Sequence, residues 1–369
     1  MNFDFSQEQE LLRDQARRFL ADRGATARCR QALESGGGFD GQLWREMAEL
    51  GWLGAALPEQ YGGAGLSYVD LCVIAEELGR ANAATPFSSS VYLASEALVH
   101  FGTEEQKQQW LPKLVSGEVV GTVGSVETNG PLTRKRVRAK VSGGKLTGIK
   151  VPVADAAYAS IMIILARHED HFGLYLVEAN AAGMQTQDLQ MNDGSRPASI
   201  VQFNDTPAQA LAVDDAWEAF QYLQNRAAVL LAFEQVGGAQ ACLEMARDFA
   251  LERYAFGRPI GSFQAIKHKL ADVYVATELA RSNAYYGAWA LDSDAADLPV
   301  AAAAARVAGC RAFDLASKEN IQTHGGMGFT WALDCHLYYR RAKAIGLSLG
   351  SARVWKDRLI ARLESRNAA

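Results

Sequence analysis

The hydrophobic period changes twice along these 369 residues, and the two changes restrict the chain to folds with three successive parts. Up to about residue 117, apolar residues recur near helical spacing. From Val119 to about Ala212, β-branched residues alternate with turn signals in VVGTVGSVE, RVRAKVS, KLTGIKVPV, ASIMIILAR, FGLYLVEA and ASIVQF. From Asp214 onward, long alanine-rich helical patterns return. An α+β chain is expected, with an N-terminal helical domain (1–117), a central β domain (118–213) and a C-terminal helical domain (214–369).

Local signals place the elements. Phe3-Asp4-Phe5 is an apolar lead-in, and Ser6 with Gln9 three residues on forms a capping-box arrangement that opens a helix to about residue 22. Helices are expected over 41–50, 68–79, 88–100 and 104–116, the last capped by Thr103 with Gln106. Gly62, Gly63 and Gly65 follow no strand, so they read as a tight turn rather than a phosphate cradle. Ser142-Gly143-Gly144 is a hairpin turn. Long helices are expected over 263–291 and 299–324.

Composition excludes several function classes. Apolar residues make up 49% and charged residues 21%, ordinary for a globular protein, and 37 basic against 42 acidic side chains leave a net charge of -5. A nucleic-acid binder would show a concentrated basic face. The local cluster Arg134, Lys135, Arg136, Arg138 and Lys140 reads as a solvated strand face or hairpin, with the phosphates of coenzyme A as an alternative partner. Five cysteines, at 29, 72, 242, 310 and 335, have no CxxC spacing, so neither a disulfide framework nor a metal site is expected. The acidic N-terminus does not resemble a targeting peptide, and no apolar run is long enough to cross a bilayer. A cytoplasmic protein is expected.

The stretch 225–272 carries the most chemistry. Glu234 interrupts an apolar helical run, and it lies about two turns from Ala227, so it projects from nearly the same face toward the interior. It either pairs with a basic group or serves as a general base, since a desolvated carboxylate takes a proton more readily. Further on, a helix closes at Arg253 and the chain turns through Phe256-Gly257-Arg258-Pro259. Arg253 and Arg258 offer forked donors to phosphate, and Phe256 offers a flat face to a heterocycle; equally, the arginines could cap or solvate a turn.

Four segments in this order, DFSQEQELLRDQARRFL, GWLGAALPEQYGGAGLSYVD with EELGRA, RYAFGRPIGSFQAIKHKLAD, and IQTHGGMGFTWALDCHLYYRRAK, resemble the acyl-CoA dehydrogenase family from end to end of the chain. The resemblance is closest to bacterial members that act on bulky acyl groups, including steroid-degradation enzymes, several of them heteromeric. It implies an acyl-CoA dehydrogenase-like fold in which the central domain is β-barrel-like and the C-terminal domain is a four-helix bundle. It also implies FAD between these two domains, and a carboxylate that removes the α proton of an acyl-CoA while the β hydride passes to the flavin. Arg253, Phe256, Gln322, Gly325, Gly326 and Gly328 match the positions that grip the adenosine and pyrophosphate end of a neighbouring subunit's FAD. An acyl-CoA substrate, an electron-transferring flavoprotein as oxidant, and a homo-oligomer or heteromeric sister subunit are the implied partners.

Other family positions are altered. Val126-Glu127-Thr128-Asn129-Gly130 replaces the usual Thr-Glu-Pro and Gly-Ser stretch, Pro152-Val153-Ala154 replaces Trp-Ile-Thr, and Ser348-Leu349-Gly350-Ser351 replaces Tyr-Glu-Gly-Thr, so leucine stands where the catalytic glutamate is usual. The alternative family position for the base matches Ala227. Three readings follow: a working dehydrogenase with Glu234 as base, one half of a heteromeric enzyme that completes a partner's flavin site, or a flavin-free acyl-CoA-binding scaffold. Residues 58–66, Phe87, the turn at 127–132 and the Glu234 helix are expected to line the acyl pocket.

Overall fold

The computed structural model describes residues 6–368, so the lead-in Phe3-Asp4-Phe5 lies outside them. In chain order the helices and strands are α1 (Gln7–Asp22), α2 (Ala25–Glu34), α3 (Gly41–Glu49), α4 (Tyr68–Arg80), α5 (Phe87–Ser89), α6 (Glu96–Phe101) and α7 (Glu104–Val115), then β1 (Gly121–Gly124), β2 (Lys140–Ser142), β3 (Lys145–Ala154), β4 (Ile161–His168), β5 (His171–Glu178), β6 (Met184–Leu189), β7 (Ala198–Pro207) and β8 (Gln209–Ala210). There follow α8 (Ala216–Glu252), β9 (Tyr254–Ala255), β10 (Arg258–Pro259), α9 (Gln264–Asp292), α10 (Leu298–His324), α11 (Cys335–Leu347) and α12 (Ala352–Ala368). They make two compact units, one from residues to Gln31, Tyr68–Ala84 and Ala228 onward, the other from Ala32–Ser67 and Thr85–Ala227.

The second unit is built on one mixed sheet in the order β6-β7-β3-β2-β4-β5-β8, with β1 pairing β4 in parallel. Strand β4 shows why the sheet is buried on both faces. Ile161, Ile163 and Leu165 join a core with Leu98, Leu111, Leu114, Phe220 and Leu223 of the helices, while Met162, Ile164 and Ala166 alternate onto the other face. That second face is covered by strand residues such as Val141, Leu146, Val153, Val201 and Phe203, so the sheet lines its own interior. It does so without closing, because β6 and β8 end the strand order instead of pairing with each other. The barrel-like expectation therefore takes the form of an open sheet. Gly143 and Gly144 form the two-residue β2–β3 turn, both with positive φ, as the right-handed strand twist favours.

In the first unit, α8 from Ala228 onward is the axis. Its backbone meets α4 so closely that a Cβ on Gly79 would fall on the Glu234 carbonyl, and one on Gly237 would fall on the Glu76 carbonyl. Gly238 of α8 faces the Phe313 ring of α10, and Gly287 of α9 faces Val229. Bidentate Arg17 and Glu77, the Arg80 and Glu244 pair, and the Arg281 and Glu76 pair fasten α1, α8 and α9 to α4.

Candidate functional site

Two helix ends in the first unit, those of α8 and α10, are joined by a ring contact. Where α8 stops, Arg253 leads into the β9–β10 hairpin, whose two-residue turn is Phe256 and Gly257, both with positive φ. Such a turn projects its residues outward, and Phe256 is 95% exposed, with the Phe263 ring edge-on at 6.1 Å. Arg258 stacks on Phe263 at 4.1 Å, so it braces the hairpin. Phe249 on α8 packs against the ring of His324 at 4.2 Å, and this contact ties the last turn of α10 to the last turns of α8.

The end of α10 carries exposed Gln322 and then the glycine turn. Gly325 has φ 60 and terminates the helix; a Cβ at Gly325 or Gly326 would meet nothing within 4 Å, leaving the main chain open to approach. Gly328 differs, since a Cβ there would stand 2.5 Å from the Ile321 carbonyl, so its glycine is required by packing. Met327, Phe329 and Trp331 are exposed around the turn.

The segment where the family's acid is usual lies elsewhere in this unit. Leu349 has φ 58, and the turn is pinned from below by Arg306, which is completely buried. Arg306 donates to the carbonyls of Ile345 and Ser348, the latter at 2.8 Å, and to Gln235 Oε1 at 2.6 Å. Burial pulls this guanidinium below its ordinary value, with Cys310 and Glu234 opposing that pull. Glu234 itself has 0% exposure in the middle of α8. The helical period thus put it inside, as the sequence spacing indicates. In the sequence, the only mark of Arg306 is a cation set in the alanine-rich run 301–309.

In the second unit, Glu127 and Lys150 form a buried ion pair at 2.6 Å. Burial lowers the Lys150 pKa, and the Glu127 charge and hydrogen bond partly restore it. The Glu127 carboxylate also accepts from the backbone of Arg138 at 2.7 Å and Ala139 at 3.0 Å, and this fixes the segment 126–130. Val153 is buried between exposed Pro152 and Ala154 on β3.

Residues 6–118 match the model of the acyl-CoA dehydrogenase N-terminal domain, and residues 215–364 match that of the acyl-CoA dehydrogenase C-terminal domain. The chain belongs to the acyl-CoA dehydrogenase family. It is an oxidoreductase of that flavoprotein family. Acyl-CoA dehydrogenase IpdE2 of Mycobacterium tuberculosis is 31% identical over 97% of this chain and 97% of its own. Among solved structures, a Tcur3481-Tcur3483 steroid ACAD variant has a TM-score of 0.90 and 31% identity over 98% of this acyl-CoA dehydrogenase-family chain and 99% of its own. The ChsE4-ChsE5 complex from Mycobacterium tuberculosis has a TM-score of 0.90 and 26% identity over 99% of each chain.

Proposed function

We propose that this chain takes part in FAD-dependent formation of the α,β-double bond of a bulky acyl-CoA thioester, and that it lends Arg253, Phe256, Gln322, Gly325, Gly326 and Gly328 to a flavin site completed by a second chain. The observation that carries the reading is Phe256: a phenylalanine almost wholly exposed, in a left-handed conformation, beside a glycine turn open to solvent. The hairpin turn sets its backbone and points it outward, and contacts within this chain leave its ring uncovered; a nucleotide at this surface would cover it. Arg253 would donate its fork to phosphate, Phe256 would cover the adenine, and the main chain at Gly325 and Gly326 would approach the pyrophosphate. Gly328 would support that turn from beneath.

When bound, the flavin supplies the hydride acceptor. The rest of the task is removal of the α proton, which needs a polarised thioester carbonyl and a carboxylate shielded from water. Glu234 is the acid of this chain proposed for that role. A second reading, in which a sister subunit supplies the base, draws support from the enclosure of Glu234 and from the leucine at 349. The two-chain ChsE4-ChsE5 neighbour supports a heteromer, and the steroid ACAD neighbour supports a bulky acyl group. Re-oxidation by an electron-transferring flavoprotein completes the proposal. No helix among the described residues is long and apolar enough to cross a membrane.

The test is the visible spectrum and turnover of the chain, alone and co-expressed with a candidate sister subunit, using a steroid side-chain acyl-CoA. Flavin absorbance with turnover is expected; a preparation that stays colourless and inactive in both forms overturns the reading. Glu234→Gln then separates the two sources of the base. Loss of turnover with flavin retained assigns Glu234, and full turnover in the presence of the sister chain assigns the partner.

A further inference from the structure

The stretch Arg134 to Lys140 places five cations among seven residues of a chain whose net charge is -5. Nothing in the dehydrogenation chemistry above uses them. Arg134–Arg136 form a short 3-10 turn, and from Val137 into β2 buried and exposed residues alternate. Val137, Ala139 and Val141 are buried, so Arg136, Arg138 and Lys140 stand between them on the opposite, solvent-facing side. Residues two apart on extended chain are separated by roughly 6.6 Å, which sets Arg138 and Lys140 apart instead of at one point, with Arg136 at the end of the turn before them.

The row is held rigidly. Arg167 donates from Nε to the Val137 carbonyl at 2.7 Å and from Nη2 to the Arg134 carbonyl at 2.6 Å. From the other side, the carboxylate of buried Glu127 accepts from the backbone N–H groups of Arg138 and Ala139. The main chain beneath the cations is therefore fastened by two charged groups, and ordering the row on binding costs little chain entropy.

Committed and uncommitted cations can be separated. Arg134 lies over the Trp217 ring at 5.2 Å and the Phe172 ring at 5.6 Å, with Glu218 at 3.6 Å. Arg136 donates to the Asn129 carbonyl at 2.9 Å. Among the described residues, no carboxylate is within ion-pair distance of Lys135, Arg136, Arg138 or Lys140. Like charges crowded on one face repel, so the arrangement is disfavoured unless an anion spans it.

We propose that this row, with Arg138 and Lys140 as its principal cations, binds the phosphates of the 3′-phospho-ADP head of coenzyme A. The inference rests on the acyl-CoA reading above, which supplies a ligand with three phosphates on one small scaffold. Phosphates set apart on a nucleotide call for separated cations on a fixed main chain, which this row provides. A single helix terminus would present one centre only. The head group carries no reacting atom, so the row anchors the substrate and leaves the thioester to other residues.

The experiment is calorimetric binding of coenzyme A, adenosine 3′,5′-bisphosphate and pantetheine to the assembled protein at low and high salt, for the wild type and the Arg138→Glu/Lys140→Glu double variant. Coenzyme A and the bisphosphate should bind with affinity that falls as salt rises, and pantetheine should bind more weakly and without salt dependence. The double variant should lose at least about tenfold in affinity for the two nucleotides, which is about 1.4 kcal/mol, while its affinity for pantetheine and its melting temperature hold. Arg138→Lys should restore most of the loss. Unchanged coenzyme A binding in the double variant overturns the inference, as does tighter binding of a single-stranded oligonucleotide than of coenzyme A. Thioester turnover is followed separately. A protein that turns over acyl-CoA yet binds it independently of the row sinks this inference alone, and a protein that binds coenzyme A through the row but desaturates no thioester sinks the dehydrogenation reading alone.

Discussion

A phenylalanine in the left-handed region holds its β-carbon against the following carbonyl at a cost of about 1–2 kcal/mol, and Phe256 sits there with φ 51. Replacing it with Asn should therefore raise stability by about 1 kcal/mol in chemical denaturation while weakening retention of FAD. A variant that gains stability and keeps its flavin would remove Phe256 from the nucleotide site. Arg306 is the opposite case, a buried cation whose Nη1 and Nη2 donate to Gln235 and to the carbonyls of Ile345 and Ser348 while its Nε finds no partner among the described residues. Arg306→Met should destabilise the fold by about 1–3 kcal/mol, measured by urea unfolding, because it leaves Gln235 Oε1 and the Ser348 carbonyl without their donor.

Glu96 gives a pH signature. It is buried with Arg226 at 2.6 Å and His100 at 3.4 Å. Burial pushes its carboxyl upward, and the hydrogen bonds and charges of His100 and Arg226 more than offset this, so its pKa lies below the ordinary value. A depressed carboxylate stabilises the fold fully above the unfolded value of about 4.3, and that contribution is lost as pH falls through the lower folded value. Glu96→Gln should thus be less stable than wild type at neutral pH, with the gap narrowing below about pH 4. A gap of constant size across that range would show that the carboxylate charge contributes nothing.

At the scale of elements, the crossing of α4 and α8 depends on two glycines, and the glycine turn after α10 depends on its neighbours in a different way. Gly237→Ala drives a methyl group into the Glu76 carbonyl, so a loss of several kcal/mol, of order 3, is expected in thermal unfolding. Gly326→Ala meets only open space and should change stability by less than about 0.5 kcal/mol, while lowering flavin occupancy. Much of this architecture was legible in the sequence because its signals are local. The capping boxes at Ser6 and Thr103 formed as their spacing indicates, and Gly143-Gly144 closed the hairpin. Helix α2 went unread, since ATARCRQALE carries no cap or strong stripe, and only Ala25 and Cys29 are buried in it. RVRAKVS read as one strand, yet only Lys140–Ser142 pairs, because Glu127 and Arg167 capture the backbone that precedes it. Partners distant in sequence left no mark: nothing in the order of residues ties Arg306 to the turn at 348, Glu127 to Lys150, or Glu96 to Arg226.

Over the whole molecule, the exposed apolar side chains of the first unit are the feature that the proposed second chain would cover. Tyr274, Val275 and Leu279 on α9, and Met327, Phe329 and Trp331 after α10, are all open to solvent. Light scattering should find at least a dimer, and Phe329→Asp/Trp331→Asp should shift it toward monomer with loss of flavin; a monomer that holds flavin would refute the shared site. The β9–β10 ribbon adds a consequence of its own. Its strands pair only with each other, and it hangs from the end of α8 without entering either core. Around a fixed Phe256, the rest of residues 254–259 can therefore be exchanged as a cassette. Related chains could diversify their choice of companion there while the scaffold that carries the cassette stays the same.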